Sequence, residues 1–301
     1  MTEPRFASPR VLIPFAIVTL IWGSTWIVIK TQLGIVPPSW SVAYRFLLAG
    51  VVMLGVALVT RAPLRIGRDG QMFALLFGVA QFVLNFNFVY RAELYVTSGL
   101  VAVVFALLFL PNAVLSTIFL RSKVTQRFMT GSAIAVIGIA LLFVHELRAD
   151  PTAQAATLTG IGFTMMGVMS ASVANVMQAT ERARALPMAS MLGWGMIWGG
   201  LIDAAFAWAT VGPPVVEWTA AYLGGVAYLG IMASAVAFSL YFRTIRDIGA
   251  AKAAYSSVLI PVIAMAFSTL FEDYRWSLLA AAGSALALAG MAVALSAKRE
   301  G

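Results

Sequence analysis

The residues of this chain that are able to do chemistry are amides, hydroxyls and tryptophans placed at helical spacing inside long apolar runs. Trp22 and Trp26 stand one turn apart on one face, with Gly23 and Ser24 beside them to allow close approach of a helix or a ligand. Gln81 and Asn85 repeat the spacing, followed by Asn87 and Tyr90, and a later run carries Ser170, Asn175 and Gln178. Asn112 follows Pro111, and hydroxyls stand at Thr97, Ser98, Ser234, Ser239, Tyr255 and Ser256. An amide in hydrocarbon must find a partner, so each of these faces another helix or a wet cavity. Hydrogen bonding to a solute, without bond breaking, is the chemistry this set supports.

Each residue also has a purely structural use. Tryptophans anchor helices at the membrane interface, but both lie past the middle of their run, which favours a cavity face for Trp22 and leaves Trp26 open. A single amide serves equally as glue between helices. Several amides on different helices, joined by hydroxyls, imply a polar, uncharged passage. The expected solute contacts are Trp22, Ser24, Gln81, Asn85, Thr97, Ser98, Asn175, Tyr255 and Ser256. Two charges lie well inside apolar runs, Arg45 and Asp203. An intramembrane charge is functional by default, yet a structural tether or snorkelling to the outer surface accounts for them equally well. A direct pair between the two is permitted and not implied.

No catalytic constellation accompanies these residues. His145-Glu146 opens a zinc-binding His-Glu-x-x-His pattern, but Ala149 stands at the second histidine position. There is no Gly-x-Ser-x-Gly elbow, phosphate loop or pair of membrane aspartates. With no cysteine, disulfides, thiolate catalysis and cysteine metal sites are excluded. No enzyme, metal or cofactor is expected.

The elements that must position these groups follow from composition. In 301 residues, 61% are hydrophobic and 11% charged, and the mean hydropathy is +0.92. A soluble protein needs a polar outside, so this is an integral membrane protein. Ten runs reach the roughly 20 residues a spanning helix needs, at about 11–31, 39–60, 71–91, 95–120, 124–144, 156–179, 187–210, 218–242, 250–271 and 275–297. The polar stretch from Val144 to Ala155, with Pro151, reads as the central loop. The first run has full spanning length and no small-residue cleavage site, which predicts an uncleaved first helix.

The net charge of +8 sits in short loops and not in a nucleic-acid-binding patch. One set of loops and ends holds Arg5 and Arg10, Arg61, Arg65 and Arg68, Arg121, Lys123 and Arg127, Arg182 and Arg184, Arg243, Arg246 and Lys252, and Lys298 and Arg299. The other holds only Lys30, Arg91, Arg148 and Arg275. The positive-inside rule places both termini in the cytoplasm.

The chain also resembles itself. Thr130 to Gly138 matches Ala282 to Gly290, Ser116-Thr117 falls on Ser268-Thr269 at the same offset, and Phe86 to Arg91 falls on Phe238 to Arg243. An internal duplication follows, with repeats at 1–147 and 148–301. Five helices is an odd number, so the two repeats insert in opposite senses, the architecture many secondary transporters use to alternate access about a site at mid-membrane. Small residues at turn spacing, Gly131 with Ala135, Ala281 with Ala285 and Ala289, and Gly195 with Gly199, are read as helix contacts, within a monomer or in a dimer.

With Trp22-Gly23-Ser24, the run Arg45 to Gly50, Pro111 and Pro261, and glycine-bearing helices five and ten, the chain resembles the EamA-type branch of the drug/metabolite transporter superfamily. Leu270-Phe271-Glu272 before helix ten fits that pattern, while the first half has Leu120-Arg121 there without the glutamate, which suggests a structural role for Glu272. Within the group it is most similar to the YddG-type exporters of aromatic and other amino acids. The resemblance implies helices one, three, four, six, eight and nine around a central cavity, helices five and ten as a buttress, and efflux across a bacterial inner membrane. The small multidrug members use a glutamate in helix one; this helix one has no acidic residue, so that mechanism does not carry over. An aromatic, amide and hydroxyl cavity suits a zwitterionic amino acid with broad choice of side chain. Another small metabolite or drug, or a membrane scaffold that transports nothing, are the competing readings.

Overall fold

In a bilayer a long apolar segment satisfies its backbone only as a helix. The computed structural model describes residues 9–121, 124–149, 154–241 and 256–295, and these are nearly all helical, with no strand among them. Among the described residues the long helices are, in order, α1 Pro9–Thr31, α2 Pro38–Val59, α3 Gly67–Ala92, α4 Ser98–Leu120, α5 Gln126–Ala149, α6 Gln154–Ala179, α7 Met188–Val211, α8 Ala220–Tyr241, α9 Ser256–Phe271 and α10 Leu278–Leu295. By length and composition α2, α3, α4, α6 and α8 are able to cross a membrane, and α1, α5, α9 and α10 hold shorter apolar stretches.

Two sequence expectations are corrected here. The polar stretch after Val144 does not begin as a loop, because α5 runs on through His145, Glu146 and Arg148 to Ala149. Glu, Leu, Arg and Ala are good helix formers, and Pro151 restricts only the residue just before it. The second correction concerns the small-residue face of α10. The helix packs on α5 through Gly283, Ala287 and Gly290, while Ala281, Ala285 and Ala289 are exposed. α10 carries small residues on two faces, and spacing alone does not choose between them. On α5 the expected Gly131 and Ala135 do face the partner.

That seam is tight enough to forbid side chains. A Cβ on Gly138 would strike the backbone of Ala287 and Gly283, and one on Gly290 would strike that of Ala135 and Gly131. α2 meets α7 in the same way: Leu47 lies against Gly200, Gly50 against Ile197, and Leu54 against Gly193. Rising numbers on one helix meet falling numbers on the other, so both pairs are antiparallel. Gly195 and Gly199 of α7 receive α3 at Ala74, Gly78 and Phe82, as their spacing predicts. α1 packs on α9 and α8, α6 on α4 and α3, and α4 on α9.

Local irregularities recur along the chain. α3 contains a π-helical stretch at Val79–Leu84, and α8 one at Tyr228–Val236. Left-handed residues end α2 and α7 at Arg61 and Gly212, and end or follow α4 and α9 at Arg121 and Asp273. Arg121 and Asp273 are separated as Gly131 and Gly283 are.

Candidate functional site

α3 presents two polar faces at one end of the bundle. Phe86, Tyr90 and Glu93 follow each other at four- and three-residue intervals and share one face; Asn87 and Arg91 share the next.

The first face receives Arg45 from α2. Its guanidinium carbon lies 4.3 Å from the centre of the Phe86 ring and 5.1 Å from that of Phe46. Its Nε donates to Ser234 Oγ on α8 at 3.1 Å. Ser234 gives its own hydrogen to Leu229 O, five residues back, at 2.8 Å, a partner that the π stretch brings within reach. The hydroxyl is therefore fixed as an acceptor toward Arg45. Arg45, Tyr90 and Glu93 are all buried; the Arg45 guanidinium and the Tyr90 hydroxyl lie close enough to interact with each other, and among the described residues Arg45 Nη1, Tyr90 Oη and both Glu93 carboxylate oxygens make no other hydrogen bond. Lys30 Nζ donates to the main-chain oxygens of Glu93 and Val96, and not to the Glu93 carboxylate. Burial pushes the Glu93 carboxyl well above the usual carboxylate range, against the pull of the nearby Lys30 charge.

The second face receives Asp203 from α7. Asn87 Nδ2 donates to Asp203 Oδ1 at 2.6 Å and to Val83 O at 2.9 Å. Asn87 Oδ1 accepts from Arg91 Nη1 at 2.7 Å and from Ser39 Oγ at 3.0 Å, and Arg91 Nη2 donates to Ser39 Oγ at 2.9 Å. Three helices are tied together by this network, with Asp203 fully buried in it.

The sequence-predicted contacts fall into distinct places. Trp22 donates Nε1 to Ala233 O in the π stretch of α8 at 3.1 Å and packs its ring on Tyr241 and Phe238. Ser24 shares a 2.7 Å hydrogen bond with Tyr228, while Trp26 lies on Phe105 of α4 and leaves its Nε1 without a partner. Gln81 is buried in the π stretch of α3. Asn85 is buried against Gly167 of α6 with Oδ1 unpartnered, and Asn175 reaches Asn112 at 3.5 Å. Thr97 stands at the N-cap of α4 with its hydroxyl unpartnered. Ser98 is engaged by Glu272, whose carboxylate accepts the Ser98 N–H at 3.1 Å from each oxygen and the Ser98 hydroxyl as well. Glu272 thus caps α4. Tyr255 lies outside the described residues, as does the side chain of Ser256.

The sequence alone leaves Lys30 and Arg91 as loop and helix-end charges, gives Glu272 a structural role without a partner, and singles out neither Glu93 nor Ser39. One signal was available for Glu93: it follows Phe86 and Tyr90 on a shared helical face.

Apolar helices locked through glycine seams, with polar groups held in their interior, define a polytopic membrane protein of the solute-carrying kind. The chain belongs to the EamA-like transporter family of the drug/metabolite transporter superfamily, which it matches twice, over residues 10–144 and 158–296. Among its relatives, protein PagO of Salmonella typhimurium is 24% identical over 260 residues, 86% of this chain and 83% of the relative. The uncharacterized transporter YoaV of Bacillus subtilis is 22% identical, covering 87% of this chain and 88% of its own. A Chlamydia trachomatis protein named as an S-adenosylmethionine/S-adenosylhomocysteine transporter is 21% identical, covering 87% and 83%. A solved crystal structure shares the fold with a TM-score of 0.67 at 20% identity, over 95% of this chain and 96% of that one.

Proposed function

We propose that this protein is a secondary transporter of a bacterial inner membrane that exports amino acids, aromatic and other neutral ones, by alternating access through a central cavity. The observation that carries the reading is a set of buried polar atoms without hydrogen-bond partners among the described residues, among them Trp26 Nε1, whose ring lies on Phe105, and Asn85 Oδ1 beside Gly167, inside an apolar bundle. A buried group left open costs about 1–3 kcal/mol, a cost that a bound solute or its water removes. In this reading ten spans form two inverted five-helix repeats with both termini cytoplasmic, and the chain works as a monomer. The antiparallel pairs α2 with α7 and α5 with α10, and the recurrent π stretches, support that arrangement. The end holding Lys30, Glu93 and Glu272 is then the outer one.

A second reading, transport of a larger metabolite, is favoured by the name of the Chlamydia relative. Both compounds in that name end in an α-amino-acid group, so one site would serve either. Exchange of labelled phenylalanine in proteoliposomes, competed with unlabelled neutral amino acids and with S-adenosylmethionine, separates the two. Competition by the amino acids supports the first reading, and competition by S-adenosylmethionine alone supports the second.

A further inference from the structure

We infer that Arg45, Tyr90 and Glu93 form a receptor for the α-amino-acid end of the substrate, with Arg45 and Tyr90 taking the carboxylate and Glu93 the ammonium. The inference rests on the amino-acid reading above and names the residues that enforce it. Charged groups at this end of the bundle are mostly occupied. Arg91 is engaged by Asn87 and Ser39, Lys30 by two main-chain oxygens, and Glu272 by the start of α4. Asp203 keeps one free oxygen, but it belongs to the Asn87 network on the other face of α3.

Arg45 and Glu93 are different. The guanidinium is clamped by Phe86 on its face and Ser234 at Nε, an arrangement that fixes its plane and leaves Nη1 open. The phenol of Tyr90 is open one turn from Phe86, and the Glu93 carboxylate is open one turn further. The Arg45 guanidinium interacts with the Tyr90 hydroxyl directly and acts on Glu93 through its charge, so the three groups share one neighbourhood, and a phenol that faces the guanidinium with its oxygen keeps its own hydrogen to donate. An open cationic donor, an open hydroxyl and an open carboxylate, all removed from solvent, are complementary to a zwitterion's two charges. Isolated buried charges are costly, and a ligand that pairs both removes that cost. Both charges of the ligand are then read at one place, so its side chain is left unread and a broad range of side chains is expected.

The test is competition against labelled phenylalanine in counterflow, with phenylalanine, phenylalaninamide, which lacks the carboxylate, and 3-phenylpropionate, which lacks the ammonium. Wild type should prefer phenylalanine over each analogue by about tenfold or more, the factor of one charge-assisted hydrogen bond. Arg45→Gln and Tyr90→Phe should weaken phenylalanine about tenfold and leave phenylalaninamide unchanged, closing the first gap. Glu93→Gln should close the second gap and not the first. Tyr90→Phe removes a single oxygen, so it decides the matter if Arg45→Gln does not fold. Wild-type exchange of phenylalanine with no preference over the analogues, or gaps unchanged in the variants, overturns this inference and leaves the amino-acid reading standing. No exchange of any amino acid by folded wild type overturns both.

Discussion

Arg45 and Asp203 stand at the same level of the antiparallel pair α2 and α7 and do not bond to each other. The contacts of Leu47 with Gly200 and of Gly50 with Ile197 set the level. Arg45 turns to Ser234 and Phe86, and Asp203 to Asn87, so the opposite charges serve two adjacent faces of α3. A pair would have neutralised both, whereas the separation leaves Asp203 tied to Asn87 and Arg45 available for the binding role proposed above.

The tether predicts an ordering of variants. Asp203→Asn keeps an acceptor for Asn87 and should cost little, whereas Asp203→Ala strands the Asn87 amide and the Arg91 charge near it. The loss should approach about 3 kcal/mol, as when one partner of a buried polar pair is removed. Thermal unfolding in detergent checks it, and equal melting of the two variants would show that Asp203 is not the tether.

Glu272 is the cap of α4, and Glu272→Ala should cost about 1–2 kcal/mol by leaving the Ser98 N–H open. Glu272→Gln retains one acceptor oxygen and should fall between the two. A melt unchanged in Glu272→Ala would contradict the cap.

The corrected seam separates two kinds of position on α10. Gly290→Val should destabilise by about 1–3 kcal/mol or abolish folding, because its side chain meets the backbone of Ala135. Ala285→Leu, on the exposed face, should be tolerated. Size-exclusion profiles after heating report both, and the reverse pattern would restore the face expected from sequence.

The Glu93 carboxyl is raised by burial, with Lys30 and Arg45 opposing and Glu272 adding to the shift. For an acid raised in the folded state, the contribution to stability is complete below its ordinary value and is lost as pH rises through the raised one. Ionised Glu93 is also the form that holds an ammonium. Raising pH through that window, equal on both sides of the liposome, should lower both the Tm and the apparent KM, and Glu93→Gln should flatten both slopes. Identical slopes in that variant would remove Glu93 from the titration.

Much of this was legible in sequence because hydrocarbon imposes strong rules. The nearly all-helical fold and the Gly131 and Gly195 contacts follow from apolar length and small-residue spacing, whereas Trp22, read as facing a cavity, bonds to α8. What stayed hidden depends on contacts between distant segments. The π stretches have no residue signature; they appear as the shift that lets Ser234 reach Leu229 and Ala233 O reach Trp22. Glu93 sits at a helix end, where charges are ordinary, and it is interior only because Lys30, Arg45 and Glu272 of other segments gather around it. The departure at Arg121 did point to a structural Glu272, but not to Ser98 as its partner.

The central claim is tested most directly by uptake of radiolabelled phenylalanine into proteoliposomes preloaded with unlabelled phenylalanine, with and without an imposed pH gradient. The account predicts saturable exchange well above protein-free liposomes, with unlabelled neutral amino acids competing. Flux no higher than in protein-free liposomes, with the protein shown to be folded, would contradict it.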